Sequence, residues 1–129
     1  MSERLNRLSR AGVSIWLDDL SRTRLESGDL ARLIDESAVT GVTTNPTIFA
    51  NAISAAADYD SAVAELGRQG ADVDAAIEAL TTADVAEAAR VFRPVFEATD
   101  GDDGRVSIEV APPLALDAEA TVESAKALW

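Results

Sequence analysis

Apolar and polar positions along this chain change period several times, and each change marks an element. In SERLNRLSRA, Leu5 and Leu8 share one side and Gly12 follows, which predicts a short leading helix. VSIWLD, residues 13–18, alternates and predicts a strand. A polar stretch then leads into a helix at DLARLIDES, residues 29–37. VTGVTTNPTIF, residues 39–49, opens as a second strand and breaks at Asn45-Pro46. Pro46 has a fixed φ and no N–H to leave unpaired, so residues 46–54 predict a short helix that it starts.

Helical spacing dominates from Tyr59 to Ala98. Asp72 to Leu80 predicts one helix, and Thr81 with Asp84 three residues on forms a capping box for another. In that second helix Val85, Ala88, Ala89, Phe92, Val95 and Phe96 make one apolar stripe, with a kink expected at Pro94. TDGDDG predicts a turn and RVSIEV, residues 105–110, a third strand. Asp117 then caps a last helix whose stripe is Ala118, Thr121, Val122, Ala125, Leu128 and Trp129.

Strands separated by helices predict βαβ units and a parallel sheet, either an open doubly wound sheet or a (β/α)8 barrel. Three strands complete neither, and the last helix reaches Trp129 with its stripe unfinished. The expectation is therefore a single partial α/β domain over residues 1–129, cut off after Trp129. Such a piece would leave strand edges wet and have poor stability by itself.

Charge and composition narrow the function. A formal charge of -12 repels phosphate backbones and anionic lipid, so neither nucleic acid nor membrane is an expected partner. The start MSERLNRLSRAG carries charges where a signal peptide needs an apolar run, which reads as a cytoplasmic protein. The chain has neither Cys nor His, which removes thiol nucleophiles, imidazole bases and the common zinc sites. Catalysis would have to use carboxylates, hydroxyls, water or an amine, and the one lysine is Lys126. DGDDG fails as a calcium loop, because counting from Asp100 puts Ala111 where the twelfth-position acid belongs. With no Walker pattern and no GxGxxG, no cofactor is expected.

The period of two sorts the strand faces. Ser14, Trp16 and Asp18 share one face of the first strand; Gly41, Thr43 and Asn45 share one of the second; Arg105, Ser107 and Glu109 share one of the third. Each face ends in polar groups near its carboxyl end, where α/β sheets and barrels place active sites. Ordinary readings stand beside this. Asn45 before Pro46 is also a helix N-cap, Asp18 beside Asp19 also a solvated turn residue, and Thr43 and Thr44 also strand formers. Glu109 within an apolar strand has to be paired, exposed on an edge, or functional.

GVTTNPTIF at 41–49, VSIWLDDLSR at 13–22 and GRVSIEV at 104–110 together resemble the transaldolase family, in its actinobacterial-type branch. The resemblance runs through essentially the whole chain and implies the amino-terminal part of a (β/α)8 barrel. It implies an enzyme of the pentose phosphate pathway that moves a dihydroxyacetone unit between sugar phosphates through a Schiff base. On that basis Asp18 is similar to the family's proton-shuttling aspartate and Glu109 to its catalytic glutamate, acting through a water. Thr43 is similar to the threonine that holds this water, and Asn45 to the asparagine that binds the dihydroxyacetone moiety. The family's Schiff-base lysine belongs to the strand after the last helix, so the 129-residue chain alone is expected to be inactive. Lys126 flanks a helical stripe and is no substitute. After Val110 most relatives read Asp-Pro-Arg where this chain has Ala111, Pro112 and Pro113, which puts the geometry of that loop in question. The other readings are a sugar-phosphate-binding module without chemistry and an acidic interaction module.

Overall fold

The computed structural model describes residues 3–129; Ser2, the first residue of the predicted leading helix, lies outside the described residues. Three strands, β1 (Ile15–Leu17), β2 (Val39–Val42) and β3 (Arg105–Val106), pair in parallel in the order β1-β2-β3. The leading helix α1 (Glu3–Arg10) precedes them, and Gly12 after it takes a positive φ of 86°. Parallel neighbours need a crossover. Two helices, α2 (Arg22–Glu26) and α3 (Asp29–Ser37), supply the first. The second runs through α4 (Pro46–Ala55), a single 3-10 turn (Ala57–Tyr59), α5 (Asp60–Arg68) and the long α6 (Val73–Ala98). A 3-10 segment (Pro112–Leu116) and α7 (Ala118–Leu128) close the chain. The result is α/β, with sequential parallel strands as at the start of a (β/α)8 barrel.

One face of the sheet carries the core. Leu20, Leu30, Val39, Val42, Phe49, Ala88 and Phe92 form a single buried cluster, with Ile15, Leu17, Val85, Val95 and Val106 packed against it. Ala88 and Phe92 come from the stripe predicted on α6, and each large apolar side chain removed from water contributes about 1.5–3 kcal/mol. Among the described residues only β2 has a neighbour on both sides, and it is the longest strand. β1 and β3 are shorter than the six-residue alternations at 13–18 and 105–110 predict, because a strand persists only where a ladder holds it.

Three other expectations change. Residues 72–98 do not form two helices with a capping box between them; α6 is continuous and runs through Pro94 to Ala98. Thr81 stays helical, donating its hydroxyl to the Glu78 carbonyl at 3.2 Å, and Asp84 turns inward to partners from other elements. Charge-assisted bonds to a buried carboxylate outweigh a local cap. The polar stretch 22–26, with Leu25 as its lone apolar residue, is the helix α2, capped by the Ser21 hydroxyl accepting from the Arg24 N–H at 3.2 Å. Finally, Asp117 caps α7 as expected, accepting from the Ala120 N–H at 3.0 Å, but no residue of the predicted stripe is buried: Thr121 and Leu128 are half-covered and Ala118, Val122, Ala125 and Trp129 exposed. No helix of the described residues is long and apolar enough to cross a membrane.

Candidate active site

At the carboxyl ends of β1 and β2 the ladder runs one step beyond the strands: the Thr43 N–H donates to the Leu17 carbonyl at 2.9 Å. That step fixes two side chains. Thr43 Oγ1 donates to Asp18 Oδ1 at 2.7 Å, so one Asp18 oxygen is engaged while the exposed residue keeps the other toward solvent. With its proton given to Asp18, the Thr43 hydroxyl has lone pairs left to accept from a water.

The register Leu17↔Val42↔Val106 sets Asp18, Thr43 and Ser107 in one row across the three tips. One layer below, Trp16, Gly41 and Arg105 form the row beneath it on the same face. Gly41 is required there, since a Cβ would meet the Trp16 indole at 2.5 Å. The indole thus lies across β2 under Thr43.

Thr44 points the other way. It is buried on the helix side, donates its hydroxyl to the Ser107 carbonyl at 2.7 Å, and its N–H donates to Ser107 Oγ at 3.2 Å. The Ser107 N–H in turn donates to the Val42 carbonyl at 2.9 Å. Thr44 and Ser107 therefore bolt the second tip to the third, a role that alternation alone does not reveal.

Asn45 is the N-cap of α4: its backbone is extended and its Oδ1 accepts from the Ile48 N–H at 3.0 Å. The capping bond fixes the carboxamide and leaves Nδ2 without a hydrogen-bond partner among the described residues. Glu109 lies on the continuation of β3 past its last paired residue. It is exposed and makes no hydrogen bond or ion pair among the described residues. The fold therefore joins Asp18 directly to Thr43, sets Asn45 two residues further along, and keeps Glu109 at the same end without contact to them. Lys126 is on α7, exposed and paired with Glu123 at 2.8 Å.

Sequence reasoning did not find the polar node behind the site. Asp84 of α6 is buried and accepts from Arg22 Nε at 3.0 Å, Arg22 Nη2 at 2.7 Å and the Tyr59 hydroxyl at 2.7 Å. The Tyr59 hydroxyl also accepts from the Arg22 backbone N–H at 2.9 Å, and the guanidinium stacks 4.5 Å from the ring centroid. Burial, reinforced by the hydrogen bond to Asp84, pushes the Tyr59 phenol up to about 12. Arg22 in DDLSR was the available signal, but its partners lie 37 and 62 residues away.

A parallel α/β sheet whose polar groups gather at the strand tips defines an enzyme-like class of fold and site. The transaldolase/fructose-6-phosphate aldolase family model matches residues 15–129. A transaldolase of Saccharopolyspora erythraea is 62% identical over 125 residues, covering 97% of this chain and 34% of its own length. Transaldolase 2 of Streptomyces avermitilis is 58% identical over 128 residues, covering 99% and 34%, and a transaldolase of Acidothermus cellulolyticus 57% over 129 residues, covering 100% and 35%. The chain belongs to the transaldolase/fructose-6-phosphate aldolase family, as the first part of its (β/α)8 barrel. It spans about a third of the length of these curated relatives.

Proposed function

We propose that this chain is the amino-terminal third of a transaldolase, which transfers a dihydroxyacetone unit from sedoheptulose 7-phosphate to glyceraldehyde 3-phosphate. The products are erythrose 4-phosphate and fructose 6-phosphate, in the pentose phosphate pathway. The observation that carries this reading is the Asp18–Thr43 hydrogen bond at the carboxyl ends of adjacent parallel strands, with Asn45 two residues beyond.

The chemistry runs through an imine between a lysine amine and the ketose carbonyl, formed with loss of water. Asp18 takes the proton from the hydroxyl on the carbon beyond the bond that breaks. That carbon leaves as the aldehyde; the bonding electrons form a new carbon–carbon double bond and the π pair of the protonated imine passes to its nitrogen, which gives a neutral enamine. Attack of the enamine on the acceptor aldehyde, with the proton returned by Asp18, reverses these moves. Glu109 acts through a water held by the Thr43 hydroxyl during imine formation and hydrolysis, and Asn45 Nδ2 donates to a dihydroxyacetone oxygen. The amine comes from the rest of the barrel, since Lys126 is exposed on α7 and paired with Glu123.

Borohydride trapping tests the proposal. The 129-residue chain is expected to give no adduct with fructose 6-phosphate, and the full-length protein to give one. In the full-length protein Asp18→Ala should keep the trapped adduct and slow carbon–carbon cleavage by about 10²–10⁴-fold, the usual loss of a positioned acid–base group. An adduct on Lys126, or cleavage untouched by Asp18→Ala, overturns it.

A further inference from the structure

The three strand tips are carried by three separate segments of chain, and those segments meet behind the site at Asp84. Arg22 stands four residues after Asp18. Tyr59 closes the 3-10 turn after α4, the helix that Asn45 caps, and Asp84 lies on α6, which leads into β3, Ser107 and Glu109. One buried carboxylate thus receives two bonds from the first segment and one from the second, while belonging to the third.

Every residue between Asp18 and this node is held. Asp19 accepts from Arg24 Nη2 at 2.7 Å, Leu20 is fully buried in the core, and Ser21 caps α2. Arg22 is then fixed through both backbone and side chain, by the Tyr59 hydroxyl and by Asp84. Thr23 adds a bond to Asp58 beside Tyr59. These ties give the route by which a displacement at the node would reach the Asp18 carboxylate.

We propose that Arg22, Tyr59 and Asp84 are positioning residues, whose hydrogen-bonded node sets the Asp18 carboxylate against Thr43 and the reacting sugar hydroxyl. The proposal rests on the catalytic reading of Asp18 given above. A node that served stability alone would change the folded fraction and leave the chemistry of folded molecules intact. A positioning node changes the one step that Asp18 performs, since small misplacements of a reacting group cost large factors in rate.

The test uses the full-length protein with fructose 6-phosphate as donor. Tyr59→Phe removes only the hydroxyl that joins the Arg22 N–H to Asp84. Arg22→Lys keeps the charge opposite Asp84 and removes the two-pronged geometry, so it carries the same test if Tyr59→Phe fails to fold. At a temperature where circular dichroism shows the native fold, single-turnover cleavage should slow by about tenfold in each variant. Borohydride trapping of the donor imine should stay within about twofold of wild type, because imine formation is a step without Asp18. Cleavage at the wild-type rate, or cleavage and trapping falling together, overturns the proposal. Asp18→Ala measured alongside separates the two ideas. If it leaves cleavage intact, the reading of the site fails and the node proposal with it. If it stops cleavage while both node variants cleave normally, the node alone fails.

Discussion

The region around β1 and β2 and the region from β3 to Trp129 are built from similar raw material and end in different states. In the first, each polar group that follows a strand has a partner: Asp18 takes Thr43, Asp19 takes Arg24, Asn45 takes the Ile48 N–H, and Arg22 takes Asp84. In the second, Glu109 has none among the described residues, and Leu116, Val122 and Trp129 are exposed. An open cleft of about 460 Å3 is lined by Trp16, Phe96, Arg105, Ser107 and Trp129. The difference is one of neighbours. β2 has a strand on each side, whereas β3, though α6 packs against both, pairs on one side only among the described residues. Amphipathic sequence becomes buried structure only where a second surface is present to receive it.

Phe92→Ala should break the contrast most severely. Phe92 is fully buried where α6 meets the sheet, and emptying such a site costs about 3–5 kcal/mol. Urea unfolding of the full-length protein should show a loss of unfolding free energy of that size; a loss under about 1 kcal/mol would mean that α6 does not carry the core.

Tyr59 gives a smaller, pH-dependent effect. Its pKa is raised to about 12, so the folded state holds the phenolic proton more tightly than the unfolded chain does. The associated stability is present in full below the ordinary tyrosine value of about 10 and is lost as pH rises through about 12. Thermal unfolding across that window should fall less steeply for Tyr59→Phe than for wild type. Equal slopes would place the alkaline loss elsewhere.

Leu116→Ser should have the smallest effect measured in the 129-residue chain, within about 0.5 kcal/mol, since this side chain is fully solvated. The same substitution in the full-length protein sharpens the comparison. A larger cost there would show that further chain covers Leu116, and an equal cost would leave it at the surface.

Much of the arrangement of the candidate site was legible in the sequence because alternation is a local property. The period of two put Trp16 and Asp18, Gly41 and Thr43, and Arg105 and Ser107 on shared faces, and the ladder register aligns those pairs in rows. Pro46 and Asn45 likewise announced α4, since both act through bonds within one helical turn. Thr81 and Asp84 had the local spacing of a capping box, and that reading failed because Asp84 is claimed from 25 and 62 residues away. The sequence by itself determined the order of the three strands, the helices started at Asp29, Pro46 and Asp117, and the polar ends of the strands, all written in neighbouring residues. Tertiary structure alone decided that Thr43 gives its proton to Asp18, that Thr44 leaves the site to bolt β2 to β3, and that Arg22, Tyr59 and Asp84 meet. Those outcomes depend on which distant groups the core brings within hydrogen-bond range, and a buried carboxylate takes the partners that best replace its lost water.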